Sequence, residues 1–420
     1  MNVLAIDIGS SSARVMLCDE NLNIKELFRY SHTAQLENGK YRWDIIALFN
    51  SLKRAIDDAI EKYDICSIGI CSWGVDYGVI DKKGNIIDNP YCYRDEKNQI
   101  EYEILHKKIS TFKLFEKSAI YPNAINTMYQ LLSDIREKRY NSNEVKIAMI
   151  ADLFAYYLTG NIAIECSNAS TTGLLSLDGK SWNISLIREL GIDENIFPNL
   201  INSGDSYGFY KNIVVRAVGT HDTASAIYAM GKLDKGDSFL SSGSWLLIGK
   251  LLDTPIVNRK VYDIMCTNER VNDNKVSLLC NINGLFIIQR VVSEANLSYK
   301  DIDNCMDKAK VLGELDVDKL MSPNNMIGNI KTMLGIENCD IMDICKTIYY
   351  SLAKRIQKVI EELDNITLEK TKRIILTGGA SRAKYFVSEV ERLVGVEVVL
   401  LSGEGAVLGN AKRQFDSLKK

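Results

Sequence analysis

The sequence predicts an α/β fold built from two domains. Strand and helix patterns alternate along the chain, and a pattern of strand, Ser/Gly turn and strand occurs at the N-terminus and again near residue 240. With 420 residues, of which 46% are hydrophobic, the chain is long enough for more than one core. We place the domain boundary near residue 230, which gives domains at 1–230 and 231–420.

The first elements follow from local patterns. The apolar run Val3 to Gly9 predicts a buried strand, and residues 10–12 and 13–18 predict a turn and a returning strand, so that 1–18 form a β-hairpin. Apolar residues recur at helical spacing from Asp44 to Tyr63, and the run 65–71 predicts another buried strand. This succession of strand, helix and strand is typical of α/β proteins.

The second half of the chain repeats this organisation. A short strand at 214–218 leads into His221 and Asp222, followed by a helix at 224–230 that Asp222 or Thr220 is expected to cap. The remaining predicted elements are a hairpin at 238–250, a helix at 343–363, a strand at 373–377, a turn at 378–381, a helix, a strand at 396–401 and a last helix from Glu404.

Composition excludes several classes of function. The net charge is -3 without a basic block, so we expect no nucleic-acid partner. No apolar stretch approaches the ~20 residues of a membrane span, and the N-terminus does not resemble a signal peptide, so we expect no membrane partner and a cytoplasmic protein. The 10 cysteines are scattered and only three histidines are present, which predicts reduced core cysteines and no structural metal.

Two glycine motifs come close to nucleotide fingerprints but miss them. Residues 173–181 have five residues between the glycines where a P-loop has four, and the glycines at 403, 405 and 409 are spaced one residue too widely for a dinucleotide fingerprint. We therefore predict no phosphate site at either motif.

Three turns of small polar residues offer a better phosphate site. They lie at 7–14, 241–244 and 377–381, each directly after an apolar strand, where successive backbone N–H groups can hold an anion. Asp7 lies in the first turn, and Asp222 lies between the first and second turns along the chain. Together they suggest a nucleotide held between two domains, with carboxylates available for a metal and for a general base.

These segments, in this order, resemble the FGGY carbohydrate kinases over nearly the whole chain. The matching segments are Asp7 to Arg14, Trp73 to Tyr77, Tyr93 to Asp95, His221 to Ser225, Leu240 to Trp245 and Thr377 to Gly379. The resemblance implies two actin-like, ribonuclease-H-like ATPase domains with a catalytic cleft between them. Segments 72–76 and 219–226 are most similar to the subgroup that phosphorylates L-rhamnulose.

The resemblance also implies a role for individual residues. ATP would bind at Ser10, Ser11, Ser12, Ala13, Arg14, Ser244, Gln289 and Gly379; the sugar at Gly74, Asp76, His221, Thr223 and Asn281; and Asp222 would be the general base. Independently of the resemblance, a carboxylate such as Asp7 within an apolar strand is costly to bury without a partner, which predicts a water-bridged Mg²⁺ at Asp7, with a turn-forming role as the alternative. The segment after Gly379 departs from the family, which usually has a third glycine and then Gln-Asn where this chain has Ala380, Ser381 and Arg382. The departure concerns the adenine side of the nucleotide site.

The implied reaction is ATP-dependent phosphorylation of a ketose at a primary hydroxyl, with L-rhamnulose the leading substrate and a monomer or homodimer as the working form. L-fuculose, xylulose or another ketose or polyol remains an alternative substrate. A non-catalytic actin-like protein that binds sugar and nucleotide is a further alternative, although such a protein would not need a carboxylate at position 222. Trp73 and Trp245 either line the cleft or belong to the core.

Overall fold

The computed structural model describes residues 1–243, 245–272, 274–320, 324–401 and 404–419. Ser244, one of the predicted nucleotide residues, lies outside the described residues. In the described part of the chain, no helix is both long enough and apolar enough to cross a membrane.

Two six-stranded sheets organise the molecule. The strands are β1 (Asn2–Ile8), β2 (Ser12–Asp19), β3 (Ile24–Ser31), β4 (Gln35–Glu37), β5 (Lys40–Arg42), β6 (Ile65–Ser72), β7 (Tyr77–Asp81), β8 (Val145–Met149), β9 (Ile164–Glu165), β10 (Leu200–Ile201), β11 (Ser206–Tyr210), β12 (Ile213–His221), β13 (Asp237–Ser242), β14 (Trp245–Leu252), β15 (Cys266–Asn272), β16 (Lys275–Asn283), β17 (Arg373–Gly378) and β18 (Glu397–Leu400).

Helices cover these sheets. They are α1 (Ile45–Lys62), α2 (Glu96–His106), α3 (Thr111–Ser118), α4 (Thr127–Arg136), α5 (Ile150–Thr159), α6 (Cys166–Thr171), α7 (Ile184–Glu189), α8 (Asp222–Ala229), α9 (Arg259–Asp263), α10 (Phe286–Glu294), α11 (Tyr299–Cys305), α12 (Met326–Leu334), α13 (Ile341–Thr367), α14 (Lys384–Val394) and α15 (Gly405–Leu418). A 3-10 turn at Gly379–Arg382 follows β17.

Five strands are arranged in the same way in both sheets. Their strand orders are β11-β12-β6-β1-β2-β3 and β15-β16-β14-β13-β17-β18. In each sheet a hairpin (β1–β2 or β13–β14) continues into a third antiparallel strand on one side, and two parallel strands lie on the other side. The α/β class with two similarly built sheets is thus confirmed, and the two predicted hairpins occupy equivalent places.

The burial pattern of β1 explains why helices cover both faces of the first sheet. Leu4, Ile6 and Ile8 pack with α1 and α5 in one core, while Val3 and Ala5 face a second core that contains residues of α15. Successive side chains of a strand point to opposite faces, so an unbroken apolar run requires cover on both sides. The C-terminal helix therefore lies against the first sheet, and the domain division at residue 230 stays a prediction.

Two of the three glycines that come close to a dinucleotide fingerprint have a packing role, and Gly403 lies outside the described residues. A Cβ at Gly409 would overlap the carbonyl oxygen of Ser225, and a Cβ at Gly405 would lie 2.8 Å from Thr377 Oγ1. Glycine at these positions lets α15 approach α8 and the end of β17 closely.

One expectation about the cysteines is wrong. Cys266 and Cys280 face each other across β15 and β16 and form a disulfide, with Cα atoms 4.3 Å apart. Directly opposed residues on antiparallel strands bring their Cβ atoms within reach of an S–S bond, which the sequence positions alone did not reveal. The other eight cysteines are free, as predicted.

Candidate active site

The junction between β12 and α8 carries the predicted general base, Asp222, and the predicted sugar residue His221. β12 ends at His221, and α8 begins with Asp222. The predicted capping role is wrong for both residues named, because the N-cap is His221 and its side chain makes no capping hydrogen bond. The Thr220 hydroxyl instead donates to Glu165, 3.0 Å away. Asp222 accepts a hydrogen bond from Thr223 at 3.3 Å and keeps a side chain that is 35% exposed.

Buried polar side chains form hydrogen bonds with the backbone of this junction. Glu165 is fully buried and its Oε2 also accepts from the backbone N–H of Thr220 at 3.0 Å. The Ser167 hydroxyl accepts from the backbone N–H of His221 at 3.1 Å. Neither Glu165 nor Ser167 was predicted, because a buried carboxylate requires donors but its sequence position does not say which segment supplies them.

Parallel pairing gathers the predicted residues at one sheet edge. Ile8 of β1 and His221 of β12 are both register partners of Ser72 at the end of β6. The same edge of the first sheet therefore carries Asp7, Gly74, His221 and Asp222. Burial, with a further contribution from the negative charge of Asp7, raises the pKa of Asp222 to about 7.

Asp7 and Arg14 face each other across the first hairpin and form an ion pair. Arg14 also contacts Glu404, next to the start of α15, at 2.7 Å. The side chains of Asp7 and Arg14 are largely buried, at 9% and 13% exposure. The structure thus gives Arg14 two carboxylate partners, and its contact with a phosphate stays a prediction.

The tip of the first hairpin is compact. The Gly9 N–H donates to the Ser12 carbonyl at 3.0 Å, and Ser10, Ser11 and Ser12 are partly or fully exposed. Ala13 is buried in the core, so only its backbone is available to a ligand.

Two of the predicted nucleotide residues, Gly379 and Gln289, lie in the described part of the second domain. Gly378 has φ +93°, and a Cβ there would overlap the carbonyl oxygen of Ser242, which joins the ends of β13 and β17 closely. At Gly379 a Cβ would meet only Leu285, at 3.4 Å. Gln289 is exposed on α10, and its N–H donates to the Leu285 carbonyl. Leu285 therefore lies near Gly379 and one helical turn before Gln289, and a nucleotide site shared by the two stays a prediction.

The predicted sugar side includes a strained loop after β6. A Cβ at Gly74 would lie 3.2 Å from His221 Nε2, so these two predicted residues are neighbours. Val75 has φ +68°, an outlier for a β-branched residue. Thr171 accepts from the Val75 N–H at 3.0 Å and Thr127 donates to its carbonyl at 2.6 Å. Backbone strain that surrounding contacts maintain is concentrated at functional sites.

Asp76, a predicted sugar residue, already has hydrogen-bond donors in this structure, and its contact with the sugar stays a prediction. It is fully buried, and its carboxylate accepts hydrogen bonds from Trp43 at 2.7 Å, Trp73 at 3.0 Å and Gln130 at 3.0 Å. Burial raises its pKa to about 6. The two indoles lie 4.7 Å apart and the His32 ring packs against both. Asp76 therefore orients an aromatic cluster of Trp43, Trp73 and His32, two of which the sequence did not single out.

The remaining predicted sugar residues, Thr223 and Asn281, have fewer contacts with the others. Thr223 is buried beside Asp222. Asn281 is exposed on β16, opposite Leu247 of β14, and among the described residues no hydrogen bond links it to Gly74 or His221. Of the two tryptophans left open, Trp73 is buried, whereas Trp245 is 42% exposed at the start of β14.

Comparison with known proteins decides the family. The model of the FGGY family of carbohydrate kinases, N-terminal domain, matches residues 2–231. This chain belongs to the FGGY family. The Rhamnulokinase of Pectobacterium atrosepticum is 30% identical over 440 residues, covering 99% of this chain and 88% of that protein. The Rhamnulokinase of Enterococcus faecalis is 29% identical, covering 98% and 88%.

Solved structures confirm the fold. A ligand-bound xylulose kinase from Lactobacillus acidophilus matches with a TM-score of 0.84 at 15% identity, covering 100% of this chain and 89% of that one. A glycerol kinase from Plasmodium falciparum with ADP matches with a TM-score of 0.84 at 17% identity, covering 100% and 90%. The chain is thus a carbohydrate kinase of the actin-like ATPase fold, in a family of phosphotransferases that use ATP.

The raised pKa of Asp222 predicts the pH dependence of this FGGY kinase. A general base acts only when deprotonated, so kcat/KM for the sugar should rise about tenfold per pH unit in acid and level off above pH about 7, the pKa of Asp222. Because Asp7 contributes to that shift, Asp7→Asn should move the acid limb to lower pH whatever it does to the rate. Steady-state rates from pH 5 to 9 test this expectation. A wild-type profile that stays level down to pH 5, or an acid limb that Asp7→Asn leaves in place, would contradict it.

Proposed function

We propose that this FGGY kinase transfers the γ-phosphoryl group of ATP to the primary hydroxyl of L-rhamnulose, giving L-rhamnulose 1-phosphate. The observation that carries the proposal is the position of Asp222. It lies at the head of α8, beside His221 and Gly74 on the predicted sugar side, and close enough to Asp7 for the charge of Asp7 to raise its pKa. The choice of sugar is supported by the similarity to Rhamnulokinases over nearly the whole chain.

The residues divide the work as follows. His221 and the backbone at Gly74 hold the sugar, and Asp222 accepts the proton of the attacking hydroxyl as the new O–P bond forms and ADP leaves. The serine turn at 10–12 and the turn at 378–379 hold the nucleotide from opposite sheets. Asp76 acts on the sugar through the two indoles that it orients.

Magnesium fits the carboxylates present. In the described ranges no three His, Cys, Asp or Glu side chains form a metal cluster. Mg²⁺ does not require one, since it commonly takes one or two carboxylates together with phosphate oxygens and water. Asp7 raises the pKa of Asp222, so two carboxylates share this space and a cation would offset their repulsion. We assign the Mg²⁺ of the nucleotide to Asp7, where it would neutralise phosphate charge.

A substrate panel tests the proposal. ADP release would be measured with L-rhamnulose, L-fuculose, xylulose and glycerol, each with ATP and with or without Mg²⁺. The expected result is the highest kcat/KM with L-rhamnulose and loss of activity without Mg²⁺. A preference for another ketose or for the polyol would overturn the choice of sugar. Turnover that does not depend on metal would overturn the assignment of Mg²⁺ to Asp7. No turnover with any sugar would overturn the whole proposal.

A further inference from the structure

Glu269 of β15 brings a carboxylate from the second sheet to His221, although no sequence motif pointed to it. Glu269 Oε2 lies 3.4 Å from His221 Nδ1, and Asp222 Oδ1 lies 3.5 Å from His221 Nε2. The side chains of His221 and Glu269 are largely buried, at 13% and 18% exposure. The two ring nitrogens therefore lie nearest to different carboxylates, with Nε2 on the side of Gly74 and Asp222. The buried Nδ1 has no hydrogen-bond partner among the described residues, and the Glu269 carboxylate is placed to supply one.

The strand itself fixes the position of Glu269. On one side of it, the backbone N–H of Asn268 donates to the Ala119 carbonyl at 3.0 Å. On the other side, the backbone N–H of Arg270 donates to the Ser170 hydroxyl at 3.0 Å. Both acceptors belong to the part of the chain before the second sheet, so β15 is docked there and presents Glu269 to the ring of His221.

The location of a single proton on His221 then matters. Burial lowers the pKa of His221, which favours the neutral ring with one N–H. A proton on Nε2 would point towards Asp222 and occupy the general base. A proton on Nδ1 would point towards Glu269 and leave Nε2 free to accept from a sugar hydroxyl.

We propose that Glu269 is a positioning residue that keeps the proton of His221 on Nδ1. Nε2 then accepts a hydrogen bond from the sugar, and Asp222 stays free to take the proton of the attacking hydroxyl. The role in catalysis rests on the proposed function, whereas the position of the proton does not.

The chain is suited to a direct measurement, because its only histidines are His32, His106 and His221. Protein labelled with ¹⁵N-histidine would be studied by long-range ¹H–¹⁵N NMR at pH 8 without substrates, with His221→Gln assigning the resonances. The Glu269 carboxylate must be ionised in this measurement. Burial raises the pKa of Glu269 and outweighs the lowering effect of His221, so an alkaline pH is chosen. The wild type should show protonated Nδ1 and unprotonated Nε2 at His221.

Three variants separate Glu269 from general loosening of β15. Glu269→Ala should move the proton to Nε2, whereas Glu269→Gln should keep it on Nδ1 because the amide oxygen can still accept. The matched control is Thr267→Val on the same strand, which removes the hydrogen bond from the Tyr121 N–H, 3.2 Å long, and should leave the proton on Nδ1. In kinetics, Glu269→Ala should raise KM for the sugar about tenfold, the worth of one good hydrogen bond, and leave KM for ATP within about twofold.

Four results would overturn the inference: a proton on Nε2 in the wild type, the same tautomer in wild type and Glu269→Ala, an equal change in Thr267→Val, or equal changes in both Michaelis constants. A proton on Nε2 in the wild type overturns the inference even if Glu269→Ala does not fold. Because the tautomer is read without turnover, an inactive protein with the expected spectrum would overturn the proposed function and leave the placement of the proton intact.

Discussion

Replacing Asp222 with Asn is expected to lower kcat about 10²–10⁴-fold, the usual contribution of a positioned general base. Asparagine keeps the shape of the side chain at the head of α8 but cannot accept the proton of the attacking hydroxyl. Phosphoryl transfer otherwise depends on positioning and charge stabilisation, which this change leaves in place. KM for the sugar and for ATP should therefore change only a few-fold.

Steady-state kinetics of Asp222→Asn with the preferred sugar is the measurement. The control is Asp234→Asn, whose side chain is 64% exposed beyond the end of α8 and which should turn over like the wild type. If Asp222→Asn keeps turnover within a few-fold of wild type, the proton leaves by another route, and Asp222 has no role as a base.

Replacing Gly379 with Asp is expected to weaken ATP binding about 10–100-fold, equivalent to about 1.4–2.8 kcal/mol. A Cβ at this position meets only Leu285 at 3.4 Å, an ordinary contact, so the turn itself tolerates a side chain. The new carboxylate would face the nucleotide, where like charge and lost space both oppose binding. Calorimetric titration with ATP and Mg²⁺ measures the affinity.

The neighbouring glycine provides the contrast. Gly378→Ala places a Cβ against the Ser242 carbonyl at φ +93°, so it should lower the thermal stability, whereas Gly379→Asp should unfold at nearly the wild-type temperature. Unchanged ATP affinity in a folded Gly379→Asp protein would remove this turn from the nucleotide site.

Several elements of the fold were predictable because each depends on the pattern of residues within a short segment. The first hairpin, the helix after Asp44 and the strands at 65–72 and 373–378 each follow from the spacing of apolar residues within about 20 positions. The repeated strand, turn and strand pattern also predicted the two similar sheets. The family motifs pointed to the base, to the sugar side and to the nucleotide turns, whose roles remain to be tested.

The partners of the buried polar groups could not be predicted in the same way. Asp76 is predicted to meet a sugar, and in this structure its carboxylate accepts from two tryptophans and a glutamine, one of them 54 residues away. Arg14 was expected to meet phosphate, yet it contacts Glu404 at the other end of the chain. The sequence shows that a buried charge needs partners, but the partner is whichever distant segment the packing brings near.

Sequence patterns predicted the class of fold, the family resemblance and the elements at 1–18, 44–71, 214–250 and after 343, because periodicity and short motifs depend on neighbouring residues. The folded structure was needed to show that α15 returns to the first sheet, that Cys266 meets Cys280, and that Glu269 reaches His221. Each of these contacts depends on how whole sheets and helices dock against one another. That docking is set by the burial of complete surfaces, and no single stretch of sequence encodes it.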